Sequence, residues 1–241
     1  MSGRLLGQRV LVLGGSSGIG LAVAREALRE DAEVLIVSSQ MARVEQALAA
    51  LGHKAQGCVL NLLDERATKG FFNTIGAFDH LVYTVGDTLR LAPLAETSTP
   101  EAQSAFDLRY WGGLAAARHG ARNVRAGGSI TFTSGIAARR PRAGWSLAAS
   151  VCGAVEALTR ALAVELAPLR VNAVSPGLVA TNLWSGMDSA TSRRMYADAS
   201  EVLPVGRVGS AEDIASAYLF LMTSGYASGQ IHVVDGGAVL V

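Results

Sequence analysis

The sequence predicts a single α/β domain in which a parallel β-sheet carries helices on both faces. Short apolar runs alternate along the whole chain with longer stretches whose apolar residues recur every three or four positions. Hydrophobic residues make up 50% of the chain and charged residues only 17%, as in a sheet that is buried on both sides. No repeat, low-complexity tract or Pro/Gly-rich linker marks a boundary, so residues 1–241 are predicted to form one domain.

Seven runs are predicted to be strands because each is short, apolar and bounded by turn-forming residues. They are RVLVLG from Arg9, EVLIVS from Glu33, AQGCVL from Ala55, DHLVYT from Asp79, SITFTS from Ser129, RVNAVS from Arg170 and QIHVVD from Gln230. Helical periodicity predicts helices over residues 18–30, 41–51, 64–76, 100–124, 147–167 and 211–223. Repeated strand–helix succession implies right-handed crossovers and a doubly wound sheet. Residues 182–205 are less periodic, and we predict a mobile lid there, over the functional site.

Composition argues against several classes of protein. The formal net charge is +1 with mixed signs along the chain, which does not suit a nucleic-acid binder. The two cysteines, Cys58 and Cys152, and the four histidines show neither disulfide nor metal-site spacing. The first apolar run is too short and interrupted for a signal peptide, and residues 147–167 carry three charged side chains, which argues against a membrane span. We therefore expect a cytoplasmic protein without metal.

A glycine-rich turn, GGSSGIG, follows the first predicted strand and runs into the first helix. Glycines allow a sharp turn, and backbone N–H groups at a helix N-terminus bind phosphate. Such a string can be an ordinary turn, but the strand–turn–helix context favours a dinucleotide-binding turn. The predicted cofactor contacts in this turn are Gly14, Ser16, Ser17, Gly18, Ile19 and Gly20.

The end of the second predicted strand indicates which dinucleotide is bound. An acidic side chain usually accepts the ribose hydroxyls of NAD(H) at this point. Here the chain has Ser38, Ser39 and Gln40, followed one helical turn later by Arg43. These side chains would bind a 2′-phosphate rather than repel it, so we predict NADP(H); the alternative is that they form a solvated loop.

The chain resembles the short-chain dehydrogenase/reductase family over essentially its whole length. Besides GGSSGIG, the resemblance is carried by NLLDE from Asn61, VYTVG ending at Gly86, SITFTSG, RVNAVSPGLVAT ending at Thr181, and VVDGG. It implies that Ser134 is the family's catalytic serine and that the chain forms a homodimer or homotetramer through the helices at 100–124 and 147–167. The further cofactor contacts that it implies are Asn61, Leu62, Val85, Gly86, Pro176, Gly177, Val179 and Thr181.

Three catalytic positions of the family carry other residues in this chain. Counting from Ser134, the family's tyrosine falls on Leu147 and its lysine, four residues later, on Val151. Its catalytic asparagine falls on Arg109. The only lysines of the chain, Lys54 and Lys69, both lie far upstream of that helix. The sequence therefore predicts a site without a Tyr–Lys relay.

Other polar side chains could partly replace the missing groups. Arg109 could stabilise an oxyanion or bind a carboxylate, and it could equally be a helix-surface charge. Ser134 could donate to an oxyanion or be structural. Three arginines near residue 140 could favour an anionic small-molecule substrate or form a solvated loop. The predicted substrate pocket includes Trp145, Trp184 and Tyr196.

Two functions remain open on these observations. The first is an NADP(H)-dependent reductase of a conjugated C=C bond, a C=N bond or a specialised carbonyl, since such a substrate needs less help from a general acid. The second is a catalytically silent NADP(H)-binding protein, acting as a sensor or a partner subunit. Retention of Ser134, the SPG segment and Thr181 favours the enzyme.

Overall fold

Seven parallel strands form one sheet in the computed structural model, which describes residues 3–86, 91–181 and 188–241. Their spatial order is β3-β2-β1-β4-β5-β6-β7. The strands are β1 (Arg9–Leu13), β2 (Glu33–Ser38), β3 (Ala55–Val59), β4 (Phe78–Tyr83), β5 (Val124–Thr133), β6 (Arg170–Pro176) and β7 (Ile231–Val234). The predicted doubly wound parallel sheet is confirmed.

Eight α-helices lie in the described ranges and cover both faces of the sheet. They are α1 (Gly18–Arg29), α2 (Met41–Leu51), α3 (Glu65–Thr74), α4 (Thr99–Phe106), α5 (Gly112–Gly120), α6 (Ser146–Glu165), α7 (Ser189–Val202) and α8 (Ala211–Thr223). Along β1, Val10 and Val12 pack with α1 and α8, whereas Leu11 and Leu13 pack with α3, α5 and α6. Successive side chains of a strand point to opposite faces, which explains why the apolar runs are continuous.

The strand order reverses between β1 and β4, so the connections leave in opposite directions from the carboxyl ends of these neighbours. A crevice opens at such a switch point because no crossover connection covers it. The glycine-rich turn after β1 and residues 84–86 after β4 both enter this crevice. The fold therefore brings together two segments that are far apart in the sequence.

The structure differs from the prediction of one helix over residues 100–124. A π-helical turn, Asp107–Trp111, separates α4 from α5, and β5 begins at Val124 rather than Ser129. The Tyr83 hydroxyl donates to the Leu108 carbonyl oxygen at 2.5 Å. It thus gives a partner to a backbone carbonyl in the turn where the regular α-helical hydrogen bonding is interrupted. A Cβ at Gly112 would lie 2.5 Å from that hydroxyl oxygen, so this close approach needs a glycine.

The helix α6 is long and apolar enough, by length and composition, to cross a membrane. Val151, Val155 and Leu162 on this helix are nevertheless buried, with Val155 and Leu162 in the core against the sheet. A core helix of this kind passes the same length and composition test.

His80 on β4 is buried and hydrogen bonded at both ring nitrogens. Its Nε2 lies 2.6 Å from Gln8 Oε1, and its Nδ1 lies 2.9 Å from Ser129 Oγ. The Gln8 oxygen can only accept, so Nε2 carries the hydrogen and Nδ1 accepts from the serine hydroxyl. Burial, with a smaller contribution from the Arg170 charge, lowers the pKa of His80 from 6.5 to about 4.

We expect the protein to lose stability as the pH falls from 6.5 to 4. Below pH 6.5 the unfolded chain binds a proton at His80, whereas the folded protein binds it only near pH 4, so acid favours unfolding in this window. The loss attributable to His80 at pH 4 is about 3 kcal/mol. When urea unfolding is measured at pH 7 and at pH 4, the free energy of unfolding should fall less in His80→Asn than in the parent protein. An equal loss in both would contradict the assignment.

Candidate functional site

A large cavity lies at the carboxyl ends of β1, β4, β5 and β6. Its volume is about 1490 Å³. Pockets for one drug-sized ligand usually measure roughly 300–1,000 Å³. The cavity therefore has room for a dinucleotide and a second molecule beside it.

The glycine-rich turn forms one wall of this cavity, and all six of its predicted contact residues line it. Gly14 and Gly18 have φ angles of +87° and +52°, which favour glycine. A Cβ at Gly20 would lie 2.3 Å from the Gly14 carbonyl oxygen, so the turn and the helix can meet only without a side chain. The Ser17 side chain does not cap α1, and the first turn of α1 has no acidic residue. This helix N-terminus is suited to a phosphate group.

Ser38, Ser39 and Arg43 also line the cavity, beside the glycine-rich turn. Ser16 Oγ donates to Ser38 Oγ at 2.9 Å, which ties the end of β2 to the turn. Gln40, which was predicted to contact the cofactor, does not line the cavity. Among the described lining residues, Asp198 of α7 is the sole acidic one, so the chemistry of the β2 end suits a phosphate rather than a ribose diol.

The remaining predicted cofactor contacts all lie in the cavity wall. They come from the segments after β3, β4 and β6, which end at the same edge of the sheet. These lining residues are Asn61, Leu62, Val85, Gly86, Pro176, Gly177, Val179 and Thr181.

Ser134 directly follows β5, is 8% exposed and lines the cavity. Its Oγ lies 3.2 Å from the Cys152 carbonyl oxygen and 3.4 Å from Glu156 Oε1, both acceptors. The Glu156 carboxylate in turn pairs with Arg160 at 3.3 Å and Arg139 at 3.7 Å. A buried carboxylate paired with two arginines thus lies beside the serine, although Glu156 itself does not line the cavity.

Arg109 lies on the π-helical turn and lines the cavity. A Cβ at Gly86 would lie 2.6 Å from Arg109 Nη1, so the guanidinium packs against the backbone of the segment that follows β4. Burial raises the pKa of the Cys152 thiol, and the positive charge of Arg109 partly offsets that rise. The Arg109 guanidinium therefore lies close enough to α6 for its charge to act on the Cys152 thiol.

The structure corrects the placement of Leu147 and Val151 at the site. The α6 side chains that line the cavity are Ala148 and Cys152. Val151 is 1% exposed, and neither it nor Leu147 lines the cavity. Each residue turns an α-helix by about 100°, so an error of one position moves the predicted pair off the cavity face.

The predicted substrate-pocket residues have different outcomes. Trp145 lines the cavity, whereas Tyr196 does not, although its α7 neighbours Arg194 and Met195 do. Trp184 lies in 182–187, outside the described residues. Within the predicted mobile lid, 182–205, the structure contains the helix α7, capped by the Asp188 carboxylate, which accepts from two backbone N–H groups of its first turn.

Sequence reasoning missed several site residues, namely Ala148, Cys152, Glu156, Arg194 and Met195. A signal for the first two existed in the spacing of Val151, Val155 and Leu162, which marks the sheet-facing side of α6 and leaves the next positions for the cavity. Asp188, a good N-cap residue, could have indicated α7. No sequence signal pairs Glu156 with Ser134, because 22 residues separate them.

Replacing Glu156 with Ala is expected to lower the free energy of unfolding by about 2 kcal/mol, because two guanidinium groups lose their carboxylate partner and the Ser134 hydroxyl keeps only the Cys152 carbonyl oxygen as an acceptor. Glu156→Gln retains an acceptor for Ser134 and should cost about half as much. Urea unfolding at pH 7 measures both. Equal losses in the two variants would show that the contact with Ser134 contributes nothing.

Comparison with known proteins agrees with this geometry. The family model described as enoyl-(acyl carrier protein) reductase matches residues 14–239. A short-chain dehydrogenase/reductase of Stachybotrys chlorohalonatus, ATR9, is 37% identical over 249 residues, which cover 97% of this chain and 98% of that protein.

Three solved structures are similar over almost their whole length. A small-chain dehydrogenase in complex with NADPH is 40% identical, with a TM-score of 0.86 and coverage of 97% and 99%. The MalC reductase/Diels-Alderase of Malbranchea aurantiaca is 30% identical, with a TM-score of 0.91 and coverage of 99% and 98%. A short-chain oxidoreductase of Pseudomonas aeruginosa PAO1, described as containing an atypical catalytic center, is 27% identical, with a TM-score of 0.86 and coverage of 97% of both chains.

Proposed function

The chain belongs to the short-chain dehydrogenase/reductase family, and from this premise we propose that it is an NADP(H)-dependent oxidoreductase that works without a Tyr–Lys relay. One observation carries the proposal. A phosphate-accepting turn and the pair Ser134 and Arg109 share a cavity whose α6 wall consists of Ala148 and Cys152.

The cofactor contacts of the proposal follow from the cavity wall. The N-terminus of α1 would hold the pyrophosphate, and Ser38, Ser39 and Arg43 would hold the 2′-phosphate. The segment around Val179 and Thr181 would hold the nicotinamide carboxamide, as its resemblance to the family implies. The related structure with NADPH supports this choice of cofactor. When bound, the cofactor supplies a hydride.

The reaction class follows from what the α6 wall offers. Ala148 has no proton to give, and burial raises the pKa of the Cys152 thiol, which makes it a poor proton donor at neutral pH. Arg109 can stabilise negative charge that develops on the substrate, and Ser134 can hydrogen bond to it. We therefore propose reduction of a conjugated C=C bond, a C=N bond or a specialised carbonyl rather than ordinary alcohol–ketone interconversion. The descriptions enoyl reductase and reductase/Diels-Alderase are compatible with this choice.

The second candidate is a catalytically silent NADP(H)-binding protein that acts as a sensor or a partner subunit. The lack of a strong acid on the cavity face of α6 favours it. The two candidates differ in one respect that can be measured, because only the enzyme oxidises bound NADPH when a substrate is added.

Assembly and location belong to the same proposal. We propose a cytoplasmic homodimer or homotetramer formed through α4, the π-helical turn, α5 and α6; Trp111 of that turn is 56% exposed and Val164 of α6 is 80% exposed. Light scattering that gives the mass of a monomer at micromolar concentration would contradict it.

We also propose that residues 182–205 act as a lid. The arginines of the cavity wall favour an anionic substrate, and α7 contributes Arg194 to that wall.

Ser134→Ala and Arg109→Leu test the proposed roles. Each substitution is expected to lower kcat/KM for a conjugated enone by roughly ten- to a hundredfold, because each removes a group that stabilises developing charge. The affinity for NADPH, followed by its fluorescence, should change by less than about threefold, since neither group is needed at the phosphates. Unchanged kcat/KM in both variants would remove these residues from the mechanism.

A further inference from the structure

We infer that the cavity beside Ala148 and Cys152 is a subsite for a bulky, apolar ring system of the substrate; this inference rests on the proposed function. These two residues belong to a small apolar cluster, apart from the two cores of the sheet, that also contains Ala137, Trp145, Leu91, Ala138 and Ala149. All of them except Ala138 and Ala149 line the cavity. The cluster is therefore an apolar wall of the site rather than part of the sheet's cores.

The wall is made of small side chains at the place where the cavity meets α6. Ala148 and Cys152 are the α6 residues that line it, and both are at most 8% exposed. A Cβ at Gly135 would lie 3.2 Å from Cys152 Sγ. The turn that follows β5 therefore approaches Cys152 without a side chain between them. A flat ring can lie against this surface, because neither long nor branched side chains project from α6 into the cavity.

Aromatic and charged groups bound the same space at its rim. The guanidinium of Arg142 lies 5.7 Å from the centre of the Trp145 ring, an arrangement that orients the indole by a cation–π contact. Ser134 and Arg109 supply polar groups that line the same cavity close to Cys152. This arrangement fits a substrate with a large apolar part and one polar, electron-accepting group, such as an aryl-substituted cyclic enone or imine. It gives little contact to a short, unsubstituted one.

Ligand binding to the complex with NADP⁺ tests the inference, because oxidised cofactor allows no reduction. Calorimetry would compare 3-phenyl-2-cyclohexen-1-one with 2-cyclohexen-1-one. We expect the phenyl compound to bind at least tenfold more tightly than the unsubstituted ketone, since binding transfers its phenyl ring from water to the apolar wall. Equal affinities, or no binding of either compound, would overturn the subsite.

Variants locate the preference on α6. Ala148→Phe should reduce it to less than about twofold, because the phenylalanine ring would fill the space that the phenyl group of the ligand occupies. Leu147→Phe is the matched control, since this neighbour does not line the cavity, and it should keep the preference. Ala148→Leu and Cys152→Met serve as milder variants if the phenylalanine disturbs folding. Persistence of the preference in all three cavity variants would overturn the inference.

The proposed function is tested separately by NADPH oxidation. A preference for the phenyl compound without any turnover would leave the subsite standing and contradict the reductase. Turnover of both compounds with no preference would do the opposite.

Discussion

The double substitution Ala148→Tyr with Cys152→Lys is expected to give the protein NADPH-dependent reductase activity toward a simple ketone. The two positions are four residues apart on α6 and both face the cavity, so the new hydroxyl and ammonium groups would reach the same space as Ser134. A positioned general acid contributes roughly a hundred- to ten-thousandfold in rate. We therefore expect kcat/KM for cyclohexanone at least about a hundredfold above that of the unmodified protein.

The matched control is Leu147→Tyr with Val151→Lys, which places the same pair one residue earlier. Val151 is 1% exposed, so the lysine would enter the core without a partner. We expect no gain in ketone reduction and a loss of about 3 kcal/mol or more in the free energy of unfolding. A gain in this control, with none in the first variant, would mean that the described orientation of α6 is wrong.

Ser39→Asp is expected to reverse the preference between the two dinucleotides. A carboxylate at this lining position would repel a 2′-phosphate and accept the ribose hydroxyls instead. Repulsion between charges about 4 Å apart near a protein surface amounts to about 1–4 kcal/mol. We expect the Kd for NADPH to rise roughly a hundredfold and the Kd for NADH to fall. Fluorescence titration measures both values.

Gln40→Asp is the control for this substitution, since Gln40 is the next residue and does not line the cavity. It should change the two Kd values by less than about threefold, because an exposed charge away from the phosphate is screened. A hundredfold loss of NADPH affinity in the control, or none in Ser39→Asp, would contradict the assigned phosphate site.

The sheet could be predicted from the sequence because its physical cause is local. Val10 and Val12 point to one face and Leu11 and Leu13 to the other, so a short run that is apolar throughout implies cover on both sides. The glycine turn was also predictable, because the backbone at Gly14 and Gly20 packs so closely against its neighbours that a Cβ atom would clash.

The catalytic end of the site was less predictable because it depends on contacts between distant segments. The side of α6 that faces the cavity is set by how Val155 and Leu162 pack on the sheet, and a count from Ser134 misses it by one residue. The π-helical turn that carries Arg109 is accompanied by the hydrogen bond from Tyr83 to Leu108, across 25 residues. Periodicity alone contains neither contact.

Reduction without a Tyr–Lys relay can be tested by titrating the purified protein with NADPH and then adding an aryl-substituted cyclic enone, a cyclic imine and cyclohexanone. We expect tight binding of NADPH and its oxidation by the enone or the imine at a rate at least about a hundredfold above that with cyclohexanone. Oxidation with cyclohexanone as fast as with the others would contradict a site without a Tyr–Lys relay. Binding with no oxidation by any of them would contradict the reductase, and failure to bind NADPH would contradict the cofactor site itself.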